Sequence, residues 1–277
     1  MKTVAIGALE VPRLGQGTWF VGDEPARRAA EIAALRRGVE LGMTLIDTAE
    51  MYGDGRAERV VGEAIHSLRE QVFLVSKVLP SNASRTGTQR ACEASLRRLG
   101  TDHIDLYLLH WRGRYPLAET VEAFENLVAQ GKIGQWGVSN FDVDDLEELA
   151  AVSGGSRCSA NQVLYNPEHR GIEFDLLNWC RDSGMAVMAY SPLGQAGELF
   201  RSRTLAAIAR RYNVKPAQVA LAWCLRQPGV LAIPKASTLA HVEENARAEA
   251  LELDADDCAI LDIEFPAPKW KLALEMI

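Results

Sequence analysis

At 277 residues, with 48% hydrophobic and 24% charged residues, the chain has the composition of a globular protein with a real core, and its length suits one α/β barrel. A net charge of −7 without a long basic run argues against nucleic acid or an anionic membrane as partner. Cys92, Cys158, Cys180, Cys224 and Cys258 are odd in number and form no Cys-x-x-Cys pair, so free thiols in a reducing cytoplasm are expected rather than disulfides or a metal site.

Along the chain, the first residues do not read as a signal peptide: the apolar stretch is short, and Glu10 interrupts its continuation. No segment approaches the roughly 20 apolar residues of a membrane span. Residues 4–6 and 10–13 flank Gly7-Ala8 and read as a small β-hairpin capping the floor of a barrel. Strand-like apolar runs come next at residues 14–19, 43–46, 72–78, 104–109, 133–138, 160–164, 185–190 and 230–233. Helical stretches lie between them at 24–41, 57–69, 89–99, 117–129, 143–152, 172–183 and 205–226, and another lies at 239–250. Strand and helix alternating without a linker predict parallel strands with right-handed crossovers. Eight such units predict one (β/α)8 TIM barrel spanning residues 1–277 as a single domain. The strands are nearly continuous apolar, as expected where both faces are covered. The segment 265–270 holds two prolines and cannot continue a helix; it reads as a tail over the surface or the barrel mouth.

Barrel chemistry occurs at the C-terminal ends of the strands. Asp47, Lys77, His110, Ser139 and Asn140, and Tyr190 and Ser191 all end strand-like runs; Asn161 and Gln162 lie in the sixth, and Tyr52 comes after Asp47 on its loop. Each alone has an ordinary explanation: Asp47 as a helix cap, Lys77 as a surface lysine, His110 as a structural histidine, Tyr52 as a loop aromatic. Four of them at one rim make four separate ordinary explanations hard to sustain. No metal site is expected, for no second His or carboxylate stands at ligand spacing. No Gly-x-Ser-x-Gly elbow is present for acyl transfer.

A Tyr beside a Lys suggests acid–base work. At an effective dielectric of ~20, an ammonium ~4 Å away stabilises a phenolate by ~4 kcal/mol. The Tyr52 pKa is therefore expected to fall from its ordinary value of about 10 towards neutrality. Asp47 would keep Lys77 charged while opposing part of that fall. His110 can donate a hydrogen bond to a substrate oxygen. Such a site protonates a carbonyl oxygen as charge develops on it, with a hydride donor as the electron source.

The motifs now resemble those of a known family. Gly42-Met43-Thr44-Leu45-Ile46-Asp47-Thr48-Ala49-Glu50-Met51-Tyr52-Gly53 with Glu58-Arg59-Val60-Val61-Gly62 is similar to the first signature of the aldo-keto reductases. Gly131-Lys132-Ile133-Gly134-Gln135-Trp136-Gly137-Val138-Ser139-Asn140-Phe141 is similar to the second, and Ile233-Pro234-Lys235 through Glu244-Asn245 to the third. Within that family the stretch 45–52 and the tail Pro266-Ala267-Pro268-Lys269 resemble bacterial members of the methylglyoxal reductase type. The resemblance implies Tyr52 as general acid in reduction and base in oxidation, tuned by Lys77 and Asp47, with His110 orienting the carbonyl. It implies that Ser139, Asn140 and Gln162 hold a nicotinamide carboxamide and that Tyr190 stacks on the ring, with Ser191 and Leu193 beside it. Lys235, Ser237, Thr238, His241, Glu244 and Asn245 would surround the adenosine end, and Trp19 and Trp111 would line the substrate pocket.

The implied activity is reduction of aldehydes or ketones by NADPH, with NADH as the alternative cofactor. Two positions depart from the family pattern. Ala236 stands where Ser or Thr is usual, and His241 where Arg is usual; in the family both positions are associated with the cofactor's 2′-phosphate, so the resemblance implies NADPH less firmly than it implies the fold. No Rossmann fingerprint occurs, since Phe20 replaces the third Gly after Gly15-Gln16-Gly17. Ser237 or Thr238 would instead open a helix whose N-terminus meets a phosphate. The short link Trp111-Arg112-Gly113-Arg114-Tyr115-Pro116 predicts an open pocket for small or varied carbonyls, methylglyoxal among them. A monomer is expected, a dimer being left open. Two rival readings are a non-catalytic nucleotide-binding barrel and a lyase using Lys77 as a Schiff base.

Overall fold

Two strands, β1 (Thr3–Ile6) and β2 (Leu9–Pro12), pair antiparallel around Gly7 in a computed structural model that describes residues 1–277, the side chain of Ala196 excepted. Gly7 has φ +56°, a conformation that favours glycine, and a Cβ there would push against the Gln135 carboxamide oxygen. The barrel is built in chain order from β3 (Gln16–Gly17), α1 (Arg28–Glu40), β4 (Leu45–Asp47), α2 (Arg56–Ile65), β5 (Phe73–Val78), α3 (Arg85–Leu99), β6 (Ile104–Leu109) and α4 (Leu117–Ala129). It continues with β7 (Ile133–Ser139), α5 (Val143–Ala151), β8 (Ala160–Leu164), α6 (Leu176–Asp182), β9 (Ala186–Tyr190), α7 (Arg203–Tyr212), α8 (Pro216–Cys224), β10 (Val230–Ala232), α9 (Leu239–Ala248) and α10 (Ala255–Glu264).

Strands β3 to β10 lie side by side in sequence order, all parallel. The sheet closes on itself. Gly15 N–H donates to the Ala232 carbonyl and Ala232 N–H to the Arg13 carbonyl, each at 2.9 Å, and Gly17 N–H donates to the Pro234 carbonyl at 3.1 Å. A Cβ on Gly17 would stand 2.6 Å from the Ile233 carbonyl oxygen, so glycine lets the seam close. The result is the (β/α)8 barrel with an N-terminal hairpin that the alternation predicts.

Successive strand residues feed two cores. Leu45, Val75, Leu106, Leu108, Met188 and Leu231 fill the barrel interior, and Ile6 and Val11 of the hairpin plug its floor. Their neighbours Ile46, Leu74, Tyr107 and Leu109 point outwards against helix residues such as Val60, Leu96 and Phe124. Both strand faces are buried, which is why no polar–apolar alternation shows in the sequence.

Two elements differ from expectation. The helix expected at 205–226 is broken in two: Asn213 adopts φ +53° as a left-handed cap and Pro216 opens α8, where its missing N–H costs nothing. Helix α10 is an addition to the expected elements; Asp254 caps it by accepting the Asp257 N–H at 2.8 Å. The tail after α10 crosses the barrel mouth. Lys271 pairs with Asp142 and, at 2.9 Å, with Asp175, while Glu275 meets His169 Nδ1 at 3.1 Å. Among the described residues, no helix is long and apolar enough to cross a membrane.

Candidate active site

Strand β4 ends on Asp47, whose carbonyl accepts the Thr18 hydroxyl at 2.9 Å and whose carboxylate points into the barrel. Lys77, on β5, is wholly buried. Its ammonium donates to Asp47 Oδ2 at 2.8 Å, the Thr48 carbonyl at 2.8 Å and the Tyr52 hydroxyl at 3.0 Å. An ammonium has three donors and all three are used. Burial pulls Lys77 down, but Asp47 and then Tyr52 more than offset it, so its pKa lies above the ordinary lysine value.

Tyr52 sits in the turn after β4, its ring edge-on to His110 with centroids 5.7 Å apart. Burial pushes its pKa up, Lys77 pulls it down, and Asp47 pushes it up again; the net direction is up. This corrects the sequence-based expectation of a lowered value: desolvation of the phenolate and the Asp47 charge together outweigh the ammonium. In this state Tyr52 is held as a phenol.

His110, just beyond β6, anchors its backbone N–H on the Val78 carbonyl at 3.0 Å. Burial first and Lys77 second push its pKa down to about 2, so the imidazole is neutral. Its Nδ1 is buried without a protein partner. An unused lone pair is better tolerated than an unused N–H, which assigns the proton to Nε2.

Beside this group lies a polar shelf. Ser139 donates to the Gln162 carbonyl at 2.9 Å. Asn140, at φ +57°, donates to Ser139 Oγ at 3.1 Å and to the His110 carbonyl at 3.2 Å, and accepts the Tyr190 hydroxyl at 2.9 Å. Gln162 donates from Nε2 to Asp47 Oδ1 at 2.7 Å, leaving its Oε1 free for a ligand. Burial pushes Tyr190 up to about 12, so it too stays a phenol.

A single cavity of about 800 Å³ connects these groups. Asp47, Tyr52, His110, Ser139, Asn140, Gln162 and Tyr190 form its inner part, with Lys77 behind them. Trp19 and Trp111 line one side, and Ser191, Leu193, Lys235, His241, Glu244 and Asn245 line the other. Ser237 and Thr238 are not on the wall. Thr238 caps α9 by accepting the His241 N–H at 3.3 Å, and Ser237 Oγ is buried without a protein partner. Sequence reasoning missed Thr18, Met51, Gln195, Met276 and Ile277, which also line the cavity. Met51 and Thr18 adjoin candidate residues in the chain; the tail residues carry no local signal.

The arrangement fits an extended nicotinamide nucleotide. Its size is that of a ligand cleft. An aromatic face and three amide- or hydroxyl-bearing side chains stand at the inner end. At the outer end the exposed Lys235 and His241, on the first turn of α9, line the cavity, which suits a phosphate.

The chain matches the model of the aldo/keto reductase family over residues 13–263. It is 55% identical over 275 residues to methylglyoxal reductase YeaE of Escherichia coli, covering 98% of this chain and 97% of that one. It is 37% identical over 257 residues to the glyoxal reductase of Bacillus subtilis, covering 92% and 89%. The crystal structure of an aldo/keto reductase from Klebsiella pneumoniae in complex with NADP and acetate matches with a TM-score of 0.98 and 52% identity, over 100% of this chain and 99% of that one.

Proposed function

Since the chain belongs to the aldo/keto reductase family, we propose that it reduces small 2-oxoaldehydes of the methylglyoxal kind, with Tyr52 as proton donor. It is an NADPH-dependent oxidoreductase acting on carbonyl groups. The observation that carries the residue assignment is the Tyr52 hydroxyl, 3.0 Å from a fully buried Lys77 ammonium and on the cavity wall beside His110.

When bound, NADPH supplies the hydride. The chain's own groups do the rest. Tyr52 gives its proton to the carbonyl oxygen as negative charge grows there, and the phenolate left behind faces the Lys77 ammonium. Asp47 keeps that ammonium charged. His110, neutral, offers its Nε2–H to the same oxygen without competing as an acid. Ser139, Asn140 and the free Oε1 of Gln162 hold the carboxamide, and Tyr190 gives the ring its flat support. Lys235, Ser237, Thr238, His241, Glu244 and Asn245 serve the adenosine end, Ser237 through its unpaired hydroxyl and Thr238 by fixing the first turn of α9. Trp19 and Trp111 flank the carbonyl substrate. The Schiff-base reading fails on the same geometry, since every Lys77 proton is engaged and the ammonium is stabilised. A non-catalytic barrel would have no need of this paired Tyr and Lys.

The reading extends to a single-domain monomer in the cytoplasm. In its support, the five cysteines are unpaired, and burial pushes Cys92, Cys158, Cys180 and Cys224 up to about 12, which keeps them unreactive. The test is consumption of NADPH on addition of methylglyoxal, measured by absorbance and compared with glyoxal and longer aldehydes. No consumption with any of them overturns the proposal.

A further inference from the structure

Beyond the groups that face the cavity, one fully buried polar side chain holds two of its walls. Asn166 lies just after β8 and is 0% exposed. Its Nδ2 donates to the Ser191 carbonyl at 3.0 Å, and its Oδ1 accepts the backbone N–H of Glu168 at 2.9 Å and of His169 at 3.1 Å. Both ends of the carboxamide are used, and its orientation is dictated by the partners.

Each end leads to the site. Ser191 sits at φ +45°, a left-handed conformation unfavourable for a residue with a Cβ, immediately after Tyr190. The Asn166 side chain and the Gly194 N–H both donate to the Ser191 carbonyl, the latter at 3.0 Å, and so hold the strained peptide in place. That contact holds the chain immediately after Tyr190, whose ring is also anchored through its hydroxyl on Asn140 at 2.9 Å. On the other side, the turn capped by Asn166 Oδ1 carries His169, which meets Glu275 of the tail, and the next two residues, Met276 and Ile277, reach the cavity.

We propose that Asn166 is a positioning residue for the reduction: its carboxamide sets the Tyr190 wall through Ser191 and the tail wall through the His169 turn. It touches no reacting atom. The inference rests on the carbonyl-reductase reading, and it adds a residue that acts through Ser191 rather than on the ligand.

Asn166→Asp separates the two ends. The carboxyl group can still accept from Glu168 and His169, but an ionised one offers no donor to Ser191. Asn166→Ser puts a hydroxyl where the carboxamide carbon stood, short of both sets of partners. For each, three quantities are measured beside a melting curve: the NADPH dissociation constant, the single-turnover rate of hydride transfer, and the isotope effect on kcat with NADPH deuterated at the transferred position. Misplacing a reacting group by about 1 Å can cost ~10²-fold. The expected result is a loss of hydride-transfer rate between about tenfold and that limit, weaker NADPH binding, and a larger isotope effect as hydride transfer becomes limiting. A rate, binding constant and isotope effect matching wild type in whichever variant folds overturn the proposal. Failure of both to fold also overturns it, since Asn166 would then serve the fold and not the alignment. Wild-type enzyme is the control: if it reduces no aldehyde, the function reading itself is lost, and if it does while the variants equal it, only the role of Asn166 is lost.

Discussion

Gln162 donates to Asp47 Oδ1 at 2.7 Å, so the carboxylate that grips Lys77 through its other oxygen is itself gripped from β8. The pair is thus held on both sides. Replacing Lys77 by Met leaves Asp47, which burial already pushes above the usual carboxylate range, with one partner fewer. Breaking a buried ion pair costs about 3–5 kcal/mol. Lys77→Met is therefore expected to lower both stability and turnover, whereas Lys132→Met, which cuts a surface pair with Glu93, costs at most about 1 kcal/mol. Denaturant titrations and turnover numbers for the two variants decide this. Equally small losses contradict the assignment.

Tyr52→Phe removes one hydroxyl and keeps the ring packed against His110. A positioned general acid contributes ~10²–10⁴-fold. Turnover is expected to fall by that factor while NADPH binding, measured by fluorescence titration, stays close to wild type. Near-normal turnover would exclude Tyr52 as the donor.

The pH dependence comes from two opposite displacements. Tyr52 lies above its ordinary value of about 10, so the proton needed for reduction is present at neutral pH and lost only as pH rises through that higher value. His110 lies near 2, so it stays neutral at any working pH. Reduction of a non-ionising aldehyde should be flat from about pH 5 to 9 and decline above. Alcohol oxidation, which needs the phenolate, should rise across the same range. A break in kcat/KM for reduction between about pH 6 and 8 would assign the proton to another group.

His241 lines the outer cavity on the first turn of α9. A guanidinium there would grip a 2′-phosphate through two nitrogens, which an imidazole cannot do. His241→Arg should increase the ratio of NADH to NADPH dissociation constants, mainly by tightening NADPH. A ratio unchanged from wild type means that this position does not read the phosphate.

Lys271 holds the tail through Asp142 and Asp175. Exposed ion pairs are worth up to about 1 kcal/mol, or about fivefold in an equilibrium constant. Lys271→Ala should raise the KM for the carbonyl by up to that factor per pair, with NADPH affinity unchanged. An unchanged KM at low ionic strength, where such pairs are strongest, would show that the tail does not shape the pocket.

The barrel was legible because its strands are short, apolar and separated by amphipathic helices, and because several of them run into a polar residue such as Asp47, His110 or Ser139. The break at Asn213 had its signals in Asn213 and Pro216, but two amphipathic stretches in sequence imitate one. The start of α10 carried an Asp254 cap without an apolar stripe strong enough to draw attention. The inner site was legible as residue types at strand ends. The Tyr52 direction was not, because it depends on how completely water is excluded, and depth of burial is a property of the whole barrel. Met276 and Ile277 reach the cavity on a tail held by contacts such as those of Lys271 and Glu275, which join residues far apart in the chain. Thr238 and Ser237 look like adjacent equals in the sequence, yet one hydroxyl is spent on its helix and the other is not.

The hairpin plug makes the barrel a flask with one neck. Ile6 and Val11 fill the floor, so whatever reaches Tyr52 must come and go past Trp19, Trp111 and the tail. Traffic through one neck imposes a queue. Ser139, Gln162 and Tyr190, which would hold a nicotinamide ring, stand in the inner part of the cavity, and Trp19 and Trp111, which would flank a carbonyl, line its side. On that layout the cofactor is expected to arrive before the carbonyl and to leave after the alcohol. Product inhibition should carry that signature, with spent cofactor competing against fresh cofactor alone and the alcohol acting on the complex.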